Sequence, residues 1–138
     1  MAVGLVIVSH SARLAEGVVE LAGQMAQGRA TLIAAGGADD GSLGTSFTRV
    51  SQAIAAADAA SGASGVIVLA DLGSAAIVAA MALEELPPER RARVRLANAP
   101  LVEGAVVAAV EASVGATLDE VISAAEGAFT LGKIAKGA

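Results

Sequence analysis

The chain has 138 residues, which fits one domain with a buried core. It contains no cysteine, which excludes disulfides, thiolate metal sites and a cysteine nucleophile, and aromatics make up 1%, too few for a base-stacking platform. A net charge of −5 argues against a sequence-independent grip on nucleic acid.

Val3 to Val8 (VGLVIV) is a continuous apolar run of strand length, as expected for a strand buried on both faces. No basic region precedes it, so it reads as a first strand and not as a secretory signal. From Ala12 to Gln27 the spacing becomes helical, with Leu14, Val18, Leu21, Ala22 and Met25 expected inward and Gly28 at the C-terminal cap. Thr31 to Ala35 forms a second strand, followed by the glycine-rich loop Gly36 to Gly44 (GGADDGSLG). Asp39 and Asp40 read as solvated loop carboxylates, since adjacent side chains rarely converge on one metal. Thr45 or Ser46 then caps a helix to about Ala60, with Val50, Ile54 and Ala57 inward.

Val66 to Ala70 is the third strand, ending at Asp71, and Ser74 begins a helix closed by Pro87-Pro88. The stretch Gly65 to Leu83 approaches the length of a membrane span, but Asp71, Gly73 and Ser74 interrupt it. An aspartate at mid-bilayer costs about 2.5–3.5 kcal/mol, so strand, turn and helix describe it better. Arg93 and Arg95 alternate along a fourth strand near Val94 to Ala97, which places that strand at a sheet edge with one wet face. Pro100 opens a helix at its first turn. Thr117 or Leu118 begins a last helix to about Ala128, and residues 130–138, with Lys133 and Lys136, are expected to form a loose tail or a docking extension.

Four strand–helix units define one α/β doubly wound domain: a mostly parallel, four- to five-stranded sheet of order 2-1-3-4, flanked by helices. Sites in such sheets form beyond the carboxyl ends of the strands, where the winding reverses. The turns after strands one and three meet there, and they carry Ser9-His10-Ser11 and Asp71-Leu72-Gly73-Ser74. Each residue has an ordinary role open to it: a loop histidine, a capping aspartate. As a pair they offer more. Asp71 accepting from one imidazole nitrogen fixes the tautomer and frees the other lone pair for attack.

Attack on a phosphoryl group gives a phosphohistidine, with Nε2 the expected site and Nδ1 facing Asp71. The oxygens would meet backbone N–H groups near Ser11 and Gly73, the Ser74 hydroxyl, and a third wall at Gly44-Thr45. Arg13 is the nearest cation in sequence. A serine hydrolase built on Ser74, His10 and Asp71 fits less well. There is no G-x-S-x-G elbow, and one short loop should not bracket the imidazole from both sides. A receiver module would need acidic residues after strand one, and a P-loop would need a Gly-Lys-Ser/Thr that does not occur.

VIVSHSARLAEG (Val6 to Gly17), ADLGSA (Ala70 to Ala75) and NAPLVEG (Asn98 to Gly104) give the chain a resemblance, from about Val3 to Ala128, to a known family. It resembles the phosphotransferase subunits of bacterial dihydroxyacetone kinases, whose domain is of the mannose-type EIIA kind. The resemblance implies that His10 is phosphorylated, that Asp71 orients it, and that Gly73, Ser74 and Gly44-Thr45 surround the phosphoryl group. It further implies phosphate arriving from phosphoenolpyruvate through enzyme I and the phosphocarrier HPr, and leaving to ADP on a nucleotide-binding kinase subunit. The expected protein is a cytoplasmic homodimer with no cofactor or metal, binding neither nucleic acid nor membrane.

Multidomain relatives carry HPr-like and enzyme-I-like domains after this one, so a chain ending here is expected to rely on separate carriers. The closing LGKIAKGA matches nothing in the family pattern. Two alternatives stand beside this: an EIIA component of a mannose-type sugar transporter, and a small tetrapyrrole metal chelatase. The chelatase normally needs ligands beyond the one histidine present.

Overall fold

The computed structural model describes residues 2–135. Four strands, β1 (Gly4–Ser9), β2 (Thr31–Gly36), β3 (Val66–Ala70) and β4 (Val94–Leu96), form one parallel sheet in the order β2-β1-β3-β4. Among the described residues there is no fifth strand. The connecting helices are α1 (Ala12–Met25), α2 (Phe47–Ser61), α3 (Gly73–Glu84), the short α4 (Pro88–Arg91), α5 (Leu101–Ser113) and α6 (Leu118–Gly127). No helix among the described residues is long and apolar enough to cross a membrane.

The central strands explain the layering. All six residues of β1 are buried, so it is apolar until Ser9. Leu5, Ile7, Ile67 and Leu69 point into one core, covered by α1, α5 and α6. Val6, Val8, Val66 and Val68 point into the other, covered by α2 and α3. Alternating side chains of the same two strands thus nucleate both layers.

The inward side of α1 differs from expectation. Ala15, Val18, Ala22 and, just past the helix end, Ala26 face the core, whereas Leu14, Leu21 and Met25 are 43%, 48% and 55% exposed. The helix packs on α5, whose buried residues are Gly104, Ala105, Ala108, Ala109 and Ala112. Small side chains on both helices permit the close approach, and α1 turns its alanines toward it. The bulkier stripe is left outside.

The caps follow local chemistry. Ser46, and not Thr45, accepts the Arg49 N–H at 3.1 Å to start α2. Pro100 stands at the N-cap of α5, one place ahead of the first turn. Thr117 and Glu120 form a reciprocal capping box on α6.

The edge strand β4 exposes Arg95, but Arg93 is not a wet-face residue. Its Nε and Nη2 donate to Oδ1 and Oδ2 of buried Asp58 at 2.7 and 3.0 Å. The hydrogen-bonded Arg93 guanidinium holds that carboxyl below its ordinary range, against the opposing effect of burial. The tail is not wholly loose either. A 3₁₀ turn closes Ala128–Thr130, and Lys133 Nζ lies 2.6 Å from Glu103 Oε2 at the start of α5. Lys136 and the rest of the expected tail lie outside the described residues.

Candidate active site at the switch point of the sheet

β1 and β3 are neighbours in register, Val8 opposite Ala70, and the Asp71 N–H donates to the Val8 carbonyl at 3.1 Å. The chain leaves β1 for α1 on one face and β3 for α3 on the other, so the winding reverses between them. His10 and Asp71, the first residues beyond each strand end, therefore stand side by side. Gly36, at the end of β2, keeps the α1 start seated close by. A Cβ there would come within 2.5 Å of the Ser11 carbonyl oxygen and 2.8 Å of Ala12 Cα.

His10 Nδ1 lies 2.9 Å from Asp71 Oδ1, and Leu72 N–H donates to the same oxygen at 2.7 Å. Asp71 Oδ2 accepts the His10 backbone N–H at 3.0 Å and the Ser9 hydroxyl at 2.8 Å. Burial, the largest influence, pushes the Asp71 carboxyl up. The hydrogen bonds from His10, Ser9 and the two backbone N–H groups outweigh it, so the group sits below its ordinary 3.8. An ionised carboxylate only accepts, so Nδ1 carries the ring proton and Nε2 keeps its lone pair. Nε2 lies 2.5 Å from Ser74 Oγ, which donates to it. The His10 side chain is 27% exposed.

Asp71 and Ser74 thus hold the two ring nitrogens from opposite sides, which corrects the expectation that one short loop could not bracket the imidazole. Asp71 directly follows β3, and its N–H bonds back to β1. Ser74 is the second residue of α3, and helical side chains tilt back toward the N-terminus, onto the ring.

The remaining expected residues divide. Gly73 opens α3, which has no side-chain cap, whereas Ser11, Ser46 and Thr117 cap α1, α2 and α6. Free N–H groups and the positive helix end therefore adjoin Nε2. Ser11 contributes less than expected: its N–H donates to Ser9 Oγ at 3.0 Å, while its hydroxyl accepts from Leu14 N at 3.1 Å and keeps only its own proton to offer. Gly44 N–H donates to the His10 carbonyl at 2.9 Å, which folds the glycine-rich loop over the site. Among the described residues no hydrogen bond joins half-buried Thr45 to the cluster, and exposed Arg13 forms no ion pair. Asp39 bonds the Ser46 hydroxyl, and Asp40 bonds the Ser42 N–H at 3.0 Å. Among the described residues no group of three His, Cys, Asp or Glu is arranged to hold a metal ion.

Ser9 belongs to the cluster and was not singled out by motif reasoning. Its signal is a lone hydroxyl closing an otherwise apolar, fully buried strand. A groove of about 420 Å³ borders Asp71 and Gly73, with Asn98, Pro100 and Phe129 on its far wall.

Fold and cluster together define a doubly wound α/β protein whose one histidine sits, oriented by a carboxylate, at the switch point. The chain belongs to the EIIA-man family, described as PTS system fructose IIA component, whose profile matches residues 4–122. It is 50% identical over 123 residues to the PEP-dependent dihydroxyacetone kinase, phosphoryl donor subunit DhaM, of Escherichia coli K12, covering 87% of this chain and 25% of that protein. It is 36% identical over 121 residues to the PTS-dependent dihydroxyacetone kinase, phosphotransferase subunit DhaM, of Lactococcus lactis, covering 88% of this chain and 91% of that protein. The crystal structure of EF1359, a protein of unknown function, is similar with a TM-score of 0.81 at 33% identity, over 92% of this chain and 95% of that one. The chain therefore spans about a quarter of the length of the Escherichia coli relative and nearly all of the Lactococcus lactis one.

Proposed function

We propose that this chain is a cytoplasmic phosphohistidine carrier, the phosphoryl donor subunit of a dihydroxyacetone kinase. The observation that supports the reading is the unprotonated Nε2 of His10, fixed by Asp71 at Nδ1, met only by the Ser74 hydroxyl and set beside the start of α3, which no side chain caps. In the first step the Nε2 lone pair attacks the phosphorus of phosphorylated HPr. The N–P bond to His10 forms as the donor's P–N bond breaks, and its electron pair returns to the HPr imidazole. Nδ1–H stays on the ring, and its hydrogen bond to Asp71 strengthens as the ring gains positive charge. Backbone N–H groups of α3 and the Ser74 hydroxyl, released from Nε2, receive the phosphoryl oxygens. In the second step a terminal phosphate oxygen of ADP, bound on the nucleotide-binding kinase subunit, attacks phosphorus, and the P–N bond pair returns to Nε2.

The test combines phosphoenolpyruvate, enzyme I and HPr with the protein and looks for acid-labile phosphate, then adds the ADP-loaded kinase subunit. ATP formation is expected. Label that moves instead to a transporter subunit would assign the chain to sugar uptake.

The 2.5 Å contact between Ser74 Oγ and Nε2 favours a second reading, serine-centred hydrolysis, enough to require a test. Ser74→Ala should keep the acid-labile label while taking it up about tenfold more slowly, the size of losing one charge-directed donor. A hydrolase would instead lose its acyl or phosphoryl intermediate completely.

The homodimer is part of the proposal. From Gly73 to Leu83, α3 has no charged side chain, and its outer face exposes Ile77 at 63% and Met81 at 52%. Beside it, α2 turns Ala55, Ala56, Ala59 and Ala60 outward while Arg49 and Asp58 face in. The opposite layer exposes Arg13, Glu16 and Glu20 on α1 alone. An uncharged face of this breadth suits a second copy across a two-fold axis. Ile77→Asp should convert the dimer to a folded monomer in sedimentation equilibrium; an unchanged mass would place the interface elsewhere.

A further inference from the structure

Ser9 closes β1 with 1% exposure, and both roles of its hydroxyl are committed. Oγ accepts the Ser11 N–H at 3.0 Å, and its proton goes to Asp71 Oδ2 at 2.8 Å. The carboxylate only accepts, so this polarity is fixed. We infer that Ser9 is a positioning residue for phosphoryl transfer at His10, its hydroxyl tying the Asp71 carboxylate to the turn that carries the imidazole. The inference rests on the reading of His10 as the phosphoryl acceptor.

The geometry argues the role from both ends. His10 lies between the two residues that Ser9 Oγ links: Ser9 itself, at the strand end, and Ser11, the cap of α1. The same hydroxyl supplies one of two donors to Oδ2, the other being the His10 backbone N–H. Carboxylate torsions are broad and roughly two-fold, so they need such anchors to hold one plane. Without the Ser9 hydroxyl, Oδ2 keeps a single donor and the plane can turn away from Nδ1. Ser11 N–H also loses its acceptor, which loosens the turn bearing the ring. Both losses act on the direction of Nε2. Neither touches the surface on which a protein partner would land, since Ser9 is enclosed.

The Nδ1–H to Asp71 bond strengthens as phosphorus bonds to Nε2, so the anchor matters more in the transition state than in the encounter. The effect should therefore fall on kcat and spare KM for phosphorylated HPr.

Three variants test this. Ser9→Ala should lower kcat for uptake from phosphorylated HPr by about tenfold or more, the size of losing one hydrogen bond to a charged group. Ser9→Thr keeps the hydroxyl on a residue suited to strands and should recover most of that loss. Ser9→Cys, close in volume but a weak donor, should fall between, and it carries the test if the alanine variant fails to fold.

The structural readout is independent of any phosphoryl donor. By carbon NMR, the Asp71 carboxyl should titrate closer to its ordinary value in Ser9→Ala and Ser9→Cys than in the native protein or Ser9→Thr. A folded Ser9→Ala or Ser9→Cys protein with native kcat and an unmoved Asp71 titration would overturn the inference. Label persisting in His10→Ala would instead overturn the reading of the site, and with it the catalytic part of the inference, while the Asp71 titration would still show whether Ser9 anchors the carboxylate.

Discussion

Replacing His10 by alanine should remove acid-labile phosphate from the protein altogether. No second histidine and no cysteine exist to take over as nucleophile. Ser74 cannot substitute, because the imidazole that accepts its proton is the group removed, and a hydroxyl without an adjacent base is a poor nucleophile. Removing such a nucleophile costs about 10⁴-fold or more, which in a labelling assay reads as none. The fold should survive. The His10 backbone bonds, N–H to Asp71 and carbonyl from Gly44, do not require the ring. Loss of label with an unchanged far-ultraviolet circular dichroism spectrum is the expected pair of observations.

Asp71→Asn should be the next most damaging change, lowering the single-turnover uptake rate by about 10²–10⁴-fold. The carboxylate accepts from four donors, two on each oxygen. A carboxamide must turn its NH2 toward one of those pairs. If it faces Nδ1 and Leu72 N–H, the ring flips to the other tautomer and Nε2 loses its lone pair. If it faces Ser9 and the His10 N–H, two donors confront it and the turn shifts. Asp71→Ala avoids the conflict but frees the ring, and should be slower than native while faster than the asparagine variant.

Stability should follow pH in a defined direction. The carboxyl lies below 3.8 in the folded protein and near 3.8 unfolded. Its contribution is therefore complete above about 3.8 and lost as pH falls through the lowered folded value. Asp71→Asn should flatten that part of the acid unfolding curve. The same sign holds for Asp58 under Arg93.

Much of this was legible from the residues because topology does the placing. Continuous apolar runs mark the two buried central strands, and the order β2-β1-β3-β4 follows from winding both ways out of β1. Once β1 and β3 are neighbours, the residues that follow them must meet, and His10 and Asp71 do.

What escaped depends on facts that spacing does not carry. The helical wheel of α1 favours Leu14, Leu21 and Met25, but which side turns inward was decided by the small residues of α5, some ninety positions later. Arg93 looked solvated because its partner, Asp58, sits 35 residues away on α2. Ser74 reached the imidazole because of where α3 starts and how its second side chain tilts, a matter of a single residue in register. Ser9 was hidden by its company: a small polar residue ending an apolar strand reads as punctuation until its partner is in view.

In the proposed mechanism phosphorus bonds to the outward nitrogen of one ring while the inward nitrogen keeps its proton against Asp71. Phosphorus–nitrogen correlation NMR on uniformly ¹⁵N-labelled protein, charged from phosphoenolpyruvate through enzyme I and HPr, reads both nitrogens at once. One phosphorus coupled to His10 Nε2, with Nδ1 protonated, is the expected result. Phosphorus coupled to Nδ1, or an ester phosphate on a serine with the imidazole unmodified, would contradict it.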